Sequence, residues 1–320
     1  MAEVIGKAVN DFFGRFQHRL GIANTRKIAK TYNSIRYRAE RAEVVEGYER
    51  RYDELFKGND PSYSGAPRNK LDDGWVIDRS GNFPGLESSL AEAERLIEER
   101  GGQDLRGNAE LAQQQYLFHL SSINELDRYP RLLDFGTSSE VLGTVADYMG
   151  MVPTIALNLP VGIRVFESTN RWCPPMAYNE SQLYHRDIHD MPLVYAIVLA
   201  RDATEHTGPW TFLPASVSAR ATRALKYQKW RQPYRVTDDR MYEVVDPSER
   251  IVFTGKRGDV LFIDTSRCFH YGSRDAVEPG YRIMYAYTTR CRTDFRMMLY
   301  RQQFPRQEGD SALRRMVLGQ

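Results

Sequence analysis

Residues 258–273 read GDVLFIDTSRCFHYGS, which is two short β-rich runs joined by turn-forming residues. Six further runs of this kind follow residue 150, namely TIALNL, IRVFES, LVYAIVLA, WTFL, RIVFTG and RIMYAYTT. Short runs rich in β-branched and aromatic residues, with turn residues between them, are typical of antiparallel strands. Helices do not alternate with these runs, which disfavours a parallel α/β fold. We therefore predict a mainly β fold with helical additions, a β-sandwich or jelly roll.

The first 150 residues have a helical pattern instead. Apolar residues recur at helical spacing over the first 20 residues, and the charged stretch that follows, to Lys57, is helix-permissive. The runs LESSLAEAERLIEERGG and TSSEVLGTVADYMG predict two more helices, the second with Thr137 and Glu140 in capping-box spacing and its end at Gly150. A Gly/Pro/Ser-rich stretch, KGNDPSYSGAPRNKLDDG, separates the two helical regions.

These patterns divide the chain into three predicted parts. They are an N-terminal helical extension over residues 1–60, a jelly-roll domain over residues 61–300 and a C-terminal tail over residues 301–320. A polar interruption of the strand pattern predicts a helical insertion at residues 216–249 within the second part.

Composition excludes several function classes. The 44 Lys and Arg nearly balance the 42 Asp and Glu, so the net charge of +2 predicts neither a nucleic-acid nor a membrane partner. The three cysteines are odd in number and lack zinc-type or redox-type spacing, which favours a reducing, cytoplasmic location. We expect a small-molecule partner; composition gives no indication of the oligomeric state.

The stretch SQLYHRDIHD, residues 181–190, concentrates candidate metal ligands. In an extended strand, alternate side chains share a face, so His185 and Asp187 would point the same way about 7 Å apart. His270, in a later β-rich run, supplies a third ligand. Two histidines and one carboxylate form the facial triad of non-haem Fe(II) oxygenases. The alternatives are a polar surface loop, or a helical zinc site formed by His185 and His189, which would need a helix here.

Arg282 is the second unusual feature, because it lies within the strand run RIMYAYTT. Strand alternation places Arg282 on one face with Met284, Ala286 and Thr288. A guanidinium that points inward among such side chains needs an anionic partner, and a carboxylate fits it in bidentate geometry. The 5-carboxylate of 2-oxoglutarate would serve. The alternative is a structural ion pair with Asp264 or Glu278.

Taken together, these features resemble the phytanoyl-CoA dioxygenase superfamily of Fe(II)/2-oxoglutarate oxygenases. SQLYHRD is similar to the family's Gln-x-x-His-x-Asp stretch, GPWTFLPAS to its Gly-Pro-Phe…Pro-Gly-Ser turn, and GDVLFIDTSRCFHYGS to its Gly-Asp…Asp-Thr…His strand. The resemblance covers about residues 150–290 and implies a double-stranded β-helix (jelly roll) core, here with an N-terminal helical region.

The resemblance also implies roles for six residues. His185, Asp187 and His270 would bind Fe(II) and be catalytic. Arg282 would hold the far carboxylate of the cosubstrate 2-oxoglutarate, with Gln182 and Ser273 as further cosubstrate contacts. Ser273 and Arg282 each lie one residue further from the distal histidine than is usual in the family. Strand alternation would place Gln182 on the face opposite His185, so it would reach the site only through a bulge or twist.

The implied activity is a dioxygenase that hydroxylates a C–H bond of a small-molecule metabolite, using O2. Related halogenases lack the carboxylate ligand, so Asp187 favours hydroxylation, desaturation or ring closure over halogenation. The alternatives are a cupin-like metal isomerase, a dioxygenase that does not use 2-oxoglutarate, and a catalytically silent jelly-roll binding protein. We expect His189 and Asp190 at the rim of the site. The sequence does not indicate the substrate.

Overall fold

A computed structural model describes residues 20–57, 69–105, 112–121, 123–156, 160–171, 177–229, 232–293, 304 and 307–319. Within these residues the helices are α1 (Ile22–Arg36), α2 (Arg38–Lys57), α3 (Leu86–Arg100), α4 (Pro130–Gly136), α5 (Ser139–Met149), α6 (Ala215–Ala224), α7 (Asp238–Tyr242) and α8 (Ala312–Val317). The strands are β1 (Trp75–Asp78), β2 (Ala112–Gln114), β3 (Leu117–His119), β4 (Thr154–Ile155), β5 (Ile163–Ser168), β6 (Val194–Leu199), β7 (Trp210–Phe212), β8 (Ile251–Phe253), β9 (Val260–Asp264), β10 (His270–Tyr271) and β11 (Gly280–Thr288).

The strands form two antiparallel sheets. The larger has the order β1-β9-β6-β11-β5-β3-β2, and β4 pairs with the end of β11. The smaller has the order β10-β7-β8. In the large sheet, β11 lies between β5 and β6, with Arg282 opposite Phe166 on one side and Leu199 on the other. The long strand β11 is therefore central and buried along its whole length.

Residue alternation gives the large sheet two differently covered faces. On β6, Ala196 and Val198 belong to a core shared with helices α3, α4 and α5. Ile197 and Leu199 point the other way, into a second core that contains Phe212 of the small sheet. The side chains on both faces of β6 are fully buried. The helices thus cover one face of the large sheet, and the small sheet covers the other.

Helix α3 shows why the helical layer forms where it does. Its buried residues recur at three- and four-residue spacing, as Leu86, Leu90, Ala93 and Leu96. That spacing produces one apolar stripe along a helix, which is then buried against the sheet. Burial of each large apolar side chain contributes roughly 1.5–3 kcal/mol.

The strand pattern after residue 150 is confirmed, because each of the eight predicted runs contains one of the strands β4 to β11. The predicted helices at LESSLAEAERLIEERGG and TSSEVLGTVADYMG are also confirmed as α3 and α5, and Gly150 ends α5 with a φ of 64°. The capping-box prediction is wrong. The N-cap is Ser138, whereas the Thr137 hydroxyl donates to the Leu133 carbonyl at 2.8 Å, since Thr137 still belongs to the end of α4.

The helical pattern to Lys57 corresponds to α1 and α2, while the helix predicted over the first 20 residues lies almost wholly outside the described residues. Helices α6 and α7 fall largely within residues 216–249. Helix α1 packs close to the SQLYHRDIHD stretch, since Arg26 donates to the Asp190 carbonyl at 3.0 Å. No helix in the described part of the chain has the length and apolar character needed to cross a membrane.

Candidate metal centre

The SQLYHRDIHD stretch is not the regular strand that the sequence predicts. Residues Glu180–Gln182 form a 3-10 helix, and only Tyr184 and His185 then make β-bridges. His185 pairs with His270 through two backbone hydrogen bonds of 3.1 and 2.9 Å. Such a pair places two side chains directly opposite each other. The Asp187 amide donates to the Thr265 carbonyl at 3.0 Å, which holds the third side chain beside them.

His185, Asp187 and His270 can hold a metal ion together. Each offers one ligand atom, and these atoms all lie within 4.8 Å of one another. His270 Nε2 is 3.9 Å from Asp187 Oδ2, and the two imidazole centroids are 4.3 Å apart. Both histidines are buried, while 15% of the Asp187 side chain is exposed. The structure therefore brings together the three ligands that the sequence predicts.

Backbone contacts orient the two imidazoles. His185 Nδ1 lies 2.8 Å from the Leu183 carbonyl, and His270 Nδ1 lies 3.0 Å from the Cys268 carbonyl. Because a carbonyl only accepts, these contacts put the proton on each Nδ1 and leave each Nε2 as the metal-binding atom. The Trp210 ring stacks on His270 at a centroid distance of 5.0 Å and further restricts that imidazole.

The protonation states also suit metal binding. Burial is the largest cause that lowers the pKa of His185, and it lowers the pKa of His270 as well, so both imidazoles are neutral near pH 7. Burial acts to raise the pKa of Asp187, but the neighbouring histidines and a hydrogen bond from the Thr265 side chain together hold that pKa below its usual value. Two neutral imidazoles and one carboxylate are the protonation states that metal binding requires.

His185, Asp187 and His270 lie in the wall of a cavity of about 660 Å³. The other residues that line it include Arg164, Phe166, Glu180, Ser181, His189, Tyr195, Trp210, Tyr234, Arg235, Ser273, Arg282 and Met284. The volume lies within the range of small-molecule sites. Its wall combines strands of both sheets with residues 234 and 235, which precede α7.

Arg282 is buried at the cavity wall with 1% of its surface exposed. Its Nη1 donates to Ser168 Oγ at 3.0 Å and its Nη2 to the Gly208 carbonyl at 2.9 Å, but its Nε has no hydrogen-bond partner. Among the described residues no carboxylate pairs with it, so the predicted alternative of an ion pair with Asp264 or Glu278 is wrong. Burial lowers the pKa of Arg282 to about 10, which leaves it cationic at neutral pH.

Ser273 and Gln182 occupy different positions relative to the cavity. Ser273 lines it, and its hydroxyl lies 2.7 Å from Ser168 Oγ, the same atom that accepts from Arg282. Gln182 is not among the lining residues; its Nε2 donates to the Ser273 carbonyl at 2.8 Å. Gln182 therefore supports the backbone at Ser273, whose φ of 60° is unusual for a serine.

The remaining candidates of the stretch separate clearly. Residues 185–189 are not helical, which rules out the helical zinc site of His185 and His189. His189 lines the cavity. Asp190 is fully buried and accepts from the amides of Thr289 at 2.6 Å and Met191 at 2.7 Å, so its expected position at the rim is wrong. Its carboxylate is a structural acceptor for chain segments beside the site.

Several lining residues were not among the predicted site residues. Arg164 lies on β5, and Tyr234 and Arg235 come from the segment before α7. Ser168, also on β5, does not line the cavity but accepts from Arg282 behind its wall. Arg164 carries a signal that could have found it, since it interrupts the apolar run IRVFES as Arg282 interrupts RIMYAYTT. Tyr234 and Arg235 lie in irregular chain and carry no such signal.

No protein-family model and no curated protein matches the chain. Among solved structures, it is similar to EctD from S. alaskensis with 2-oxoglutarate and 5-hydroxyectoine, at 13% identity and a TM-score of 0.43, covering 68% of this chain and 72% of that one. The carbocyclase SnoK from nogalamycin biosynthesis gives 17% identity and a TM-score of 0.43, covering 67% and 79%. The epimerase SnoN, in complex with Fe3+, alpha ketoglutarate and nogalamycin RO, gives 16% identity and a TM-score of 0.37, covering 67% and 78%. These similarities are too distant to assign a reaction to this chain.

Proposed function

We propose that this chain is a non-haem Fe(II)- and 2-oxoglutarate-dependent oxygenase that hydroxylates a C–H bond of a small-molecule metabolite. One observation carries the proposal: a two-histidine, one-carboxylate triad and a buried arginine without a carboxylate partner in the described chain line the same cavity. Either feature alone is common in proteins. Together they provide the ligands for the metal and a receptor for the far carboxylate of the cosubstrate.

The donor set fits Fe(II). His185, Asp187 and His270 would supply two nitrogen ligands and one oxygen ligand on one side of the ion, which leaves positions open for cosubstrate and oxygen. When bound, the iron and 2-oxoglutarate supply the oxidising chemistry, in which 2-oxoglutarate is converted to succinate and carbon dioxide as the substrate is hydroxylated. The protein contributes ligation, orientation and a partly enclosed cavity.

Arg282 would bind the 5-carboxylate of 2-oxoglutarate. Ser168 holds the guanidinium in place and is itself within 2.7 Å of Ser273, so the three side chains form one polar group at the cavity wall. The low polarity around a buried cation strengthens its attraction to a carboxylate. Gln182 would act here through the Ser273 backbone, or directly as a cosubstrate contact if the cosubstrate reaches it.

We also propose that the two antiparallel sheets are the two halves of a jelly roll, with the metal centre between them. His270 lies on the small sheet and Arg282 on the large one, so a ligand bound to both would span the two halves. The division of the chain at residues 60 and 300 remains a prediction.

Two other metal enzymes would keep the triad. A cupin-like isomerase or a dioxygenase that does not use 2-oxoglutarate has no need of a buried Arg282, and a silent binding protein has no need of aligned Nε2 atoms. Hydroxylation is preferred over halogenation because Asp187 occupies the third ligand position. Desaturation and ring closure use the same site and differ in the substrate that it holds.

The test is release of succinate from 2-oxoglutarate by protein supplied with Fe(II), O2 and a panel of small metabolites. We expect at least one metabolite to stimulate release, Asp187→Ala to abolish it, and Arg282→Met to suppress it at limiting 2-oxoglutarate. Asp202→Asn, a surface carboxylate that pairs with Lys256, is the matched control and should leave it unchanged. Full activity of Asp187→Ala, or product formed equally well without 2-oxoglutarate, would contradict the proposal.

A further inference from the structure

Several hydrogen-bond donors in the cavity wall have no partner among the described residues. There are more of them than the proposed cosubstrate would satisfy. Four residues that line it each have a buried nitrogen atom with no partner within the described chain: Arg164 Nε, Trp210 Nε1, Arg235 Nη1 and Arg282 Nε. All four belong to donor groups, and no buried acceptor of a lining residue is left in the same state. Buried donors are normally satisfied, which favours bound molecules that supply acceptors.

Arg164 is the donor that the cosubstrate leaves unmatched. It lies on β5 opposite Met284 of β11, whereas Arg282 lies opposite Phe166, two residues further along β5. The two arginines are therefore diagonal neighbours on one face of the sheet, with their backbones about 7–8 Å apart. One carboxylate bound in bidentate fashion to Arg282 does not also satisfy Arg164.

The surroundings of Arg164 hold it without neutralising it. Its Nη1 lies 3.5 Å from His119 Nε2, and burial lowers the pKa of His119 to about 3, so this imidazole is a neutral partner. Burial raises the pKa of the Tyr195 hydroxyl, and the nearby Arg164 guanidinium offsets part of that rise. Within the described chain no carboxylate lies within ion-pair distance of Arg164.

The charged residues that line the cavity indicate that one more negative charge is needed from a bound molecule. The cations are Arg164, Arg235 and Arg282, and the carboxylates are Glu180 and Asp187. Arg235 pairs with Glu180 at 3.5 Å. The 2-oxoglutarate dianion would balance Arg282 together with the charge that a metal dication retains beside Asp187. One positive charge, that of Arg164, then has no counterpart.

Resting on the function proposed above, we propose that the substrate is a monocarboxylate whose carboxylate is bound by Arg164 and the Tyr195 hydroxyl. The apolar body of this substrate lies along aromatic rings that lead to the metal. Tyr195 is 6.3 Å from Trp210, and Trp210 is 5.0 Å from His270, between ring centroids. With its carboxylate at Arg164, the substrate would present to the metal a carbon atom remote from that carboxylate.

The experiment measures binding in the absence of turnover. Protein loaded with Mn(II) and 2-oxoglutarate is titrated calorimetrically with three matched pairs of acid and primary amide: phenylacetate, 3-phenylpropionate and hexanoate. We expect at least one acid to bind tenfold or more tightly than its amide, since a hydrogen bond to a charged group contributes about 1.5–3 kcal/mol. Arg164→Gln should remove this preference and leave the affinity for 2-oxoglutarate within about twofold.

Arg164→Lys tests the same claim in a variant that keeps the charge and loses the bidentate fork, and it should keep part of the preference. Arg201→Gln, at a surface pair with Glu94, is the control and should keep all of it. Equal binding of acids and amides in every pair would overturn the proposal, as would a tenfold loss of 2-oxoglutarate affinity in Arg164→Gln. Tighter binding of phenyl phosphate than of any acid would overturn the choice of a monoanion.

Failure of the proposed function gives a different result. If Mn(II)-loaded protein does not bind 2-oxoglutarate, the oxygenase assignment fails, and the acid and amide titrations of metal-free protein still test Arg164. A preference for acids that disappears in Arg164→Gln under those conditions would support the carboxylate site by itself.

Discussion

Alternate residues of β11 face two kinds of surroundings. On the helix-covered side, the Tyr285 hydroxyl lies 2.9 Å from Ser89 Oγ and the Tyr287 hydroxyl donates to the Gly136 carbonyl at 2.7 Å. On the cavity side, Arg282 is equally buried but keeps an unpaired Nε. On one side of β11 the buried polar groups named above find hydrogen-bond partners within the protein, whereas on the other side Arg282 Nε finds none among the described residues.

The difference separates stability from function within a single element. The helix-covered side is complete in the folded chain, so changes there should act on the free energy of unfolding. The cavity side keeps a desolvated cation, which disfavours folding unless a ligand pairs with it. Changes there should act on ligand binding and have little effect on stability, or a favourable one.

The largest expected effect comes from removing a ring on the helix-covered side. Tyr285→Ala should lower the free energy of unfolding by about 3–5 kcal/mol, because it leaves a cavity against Phe135 and α3. Urea unfolding measures this loss. Tyr285→Phe keeps the ring and should cost only about 1 kcal/mol. A folded Tyr285→Ala protein with tenfold weaker binding of 2-oxoglutarate would show that the two sides are not independent.

The opposite result is expected on the cavity side. Arg282→Met should weaken 2-oxoglutarate binding about 100-fold, because truncating one partner of a buried charge pair costs about 2–5 kcal/mol. Its melting temperature should be unchanged or higher, since a buried unpaired cation is removed. Calorimetric titration and a thermal melt of the same sample measure both. Arg220→Met, at a surface pair with Glu249, is the control. Unfolding of Arg282→Met with no loss of affinity in the folded fraction would reverse the interpretation.

A smaller effect concerns pH. Two histidines with the ordinary pKa of about 6.5 would lose about 14-fold in metal affinity between pH 7.5 and 6.0, because protons compete for both imidazoles. Burial lowers the pKa of His185 and His270, so both stay neutral as the pH falls through this range. We therefore expect a loss of less than about threefold, measured by Mn(II) titration at the two pH values. A loss near 14-fold would mean that the imidazoles are accessible to water in the metal-free protein.

The smallest expected effect tests the support of Arg282. Ser168→Ala removes the hydroxyl that accepts from Arg282 Nη1 and should weaken 2-oxoglutarate binding about fivefold, the value of one hydrogen bond. Arg282 and the three candidate metal ligands remain in place, so metal affinity should not change. Ser216→Ala, an exposed serine bonded to Asp73, is the matched control. An equal loss in both variants would assign the effect to general loosening of the fold.

The sequence predicts the strands after residue 150 and misses β1, β2 and β3, which lie in the region with a helical pattern. Strand β11 places Arg282, Met284, Ala286 and Thr288 on one face, and each run after residue 150 is long enough to show β-propensity. Strand β2 consists of Ala-Gln-Gln, which has little β-propensity and pairs only because β3 lies beside it. Strand β1 has four residues and owes its place to β9.

The sequence predicts those residues of the candidate site that belong to a local sequence pattern. His185, Asp187 and His270 were found from residue type and order, and Arg282 from strand alternation. Applied to IRVFES, the same alternation places Arg164 with Phe166 and Ser168 on the cavity side, so this residue was within reach of the sequence. The surroundings of Gln182 could not be predicted from the sequence, because strand alternation does not apply to the 3-10 helix that contains this residue. The roles of the six predicted site residues remain proposals.

The most direct test of the central claim is an anaerobic titration of 2-oxoglutarate into Fe(II)-loaded protein, followed by visible absorption. Chelation of the iron by the cosubstrate should produce a weak charge-transfer band that saturates at one equivalent. The band should be lost in Asp187→Ala, and in Arg282→Met it should need about 100-fold more 2-oxoglutarate. A folded, iron-loaded wild-type protein that gives no band at saturating 2-oxoglutarate would contradict the account.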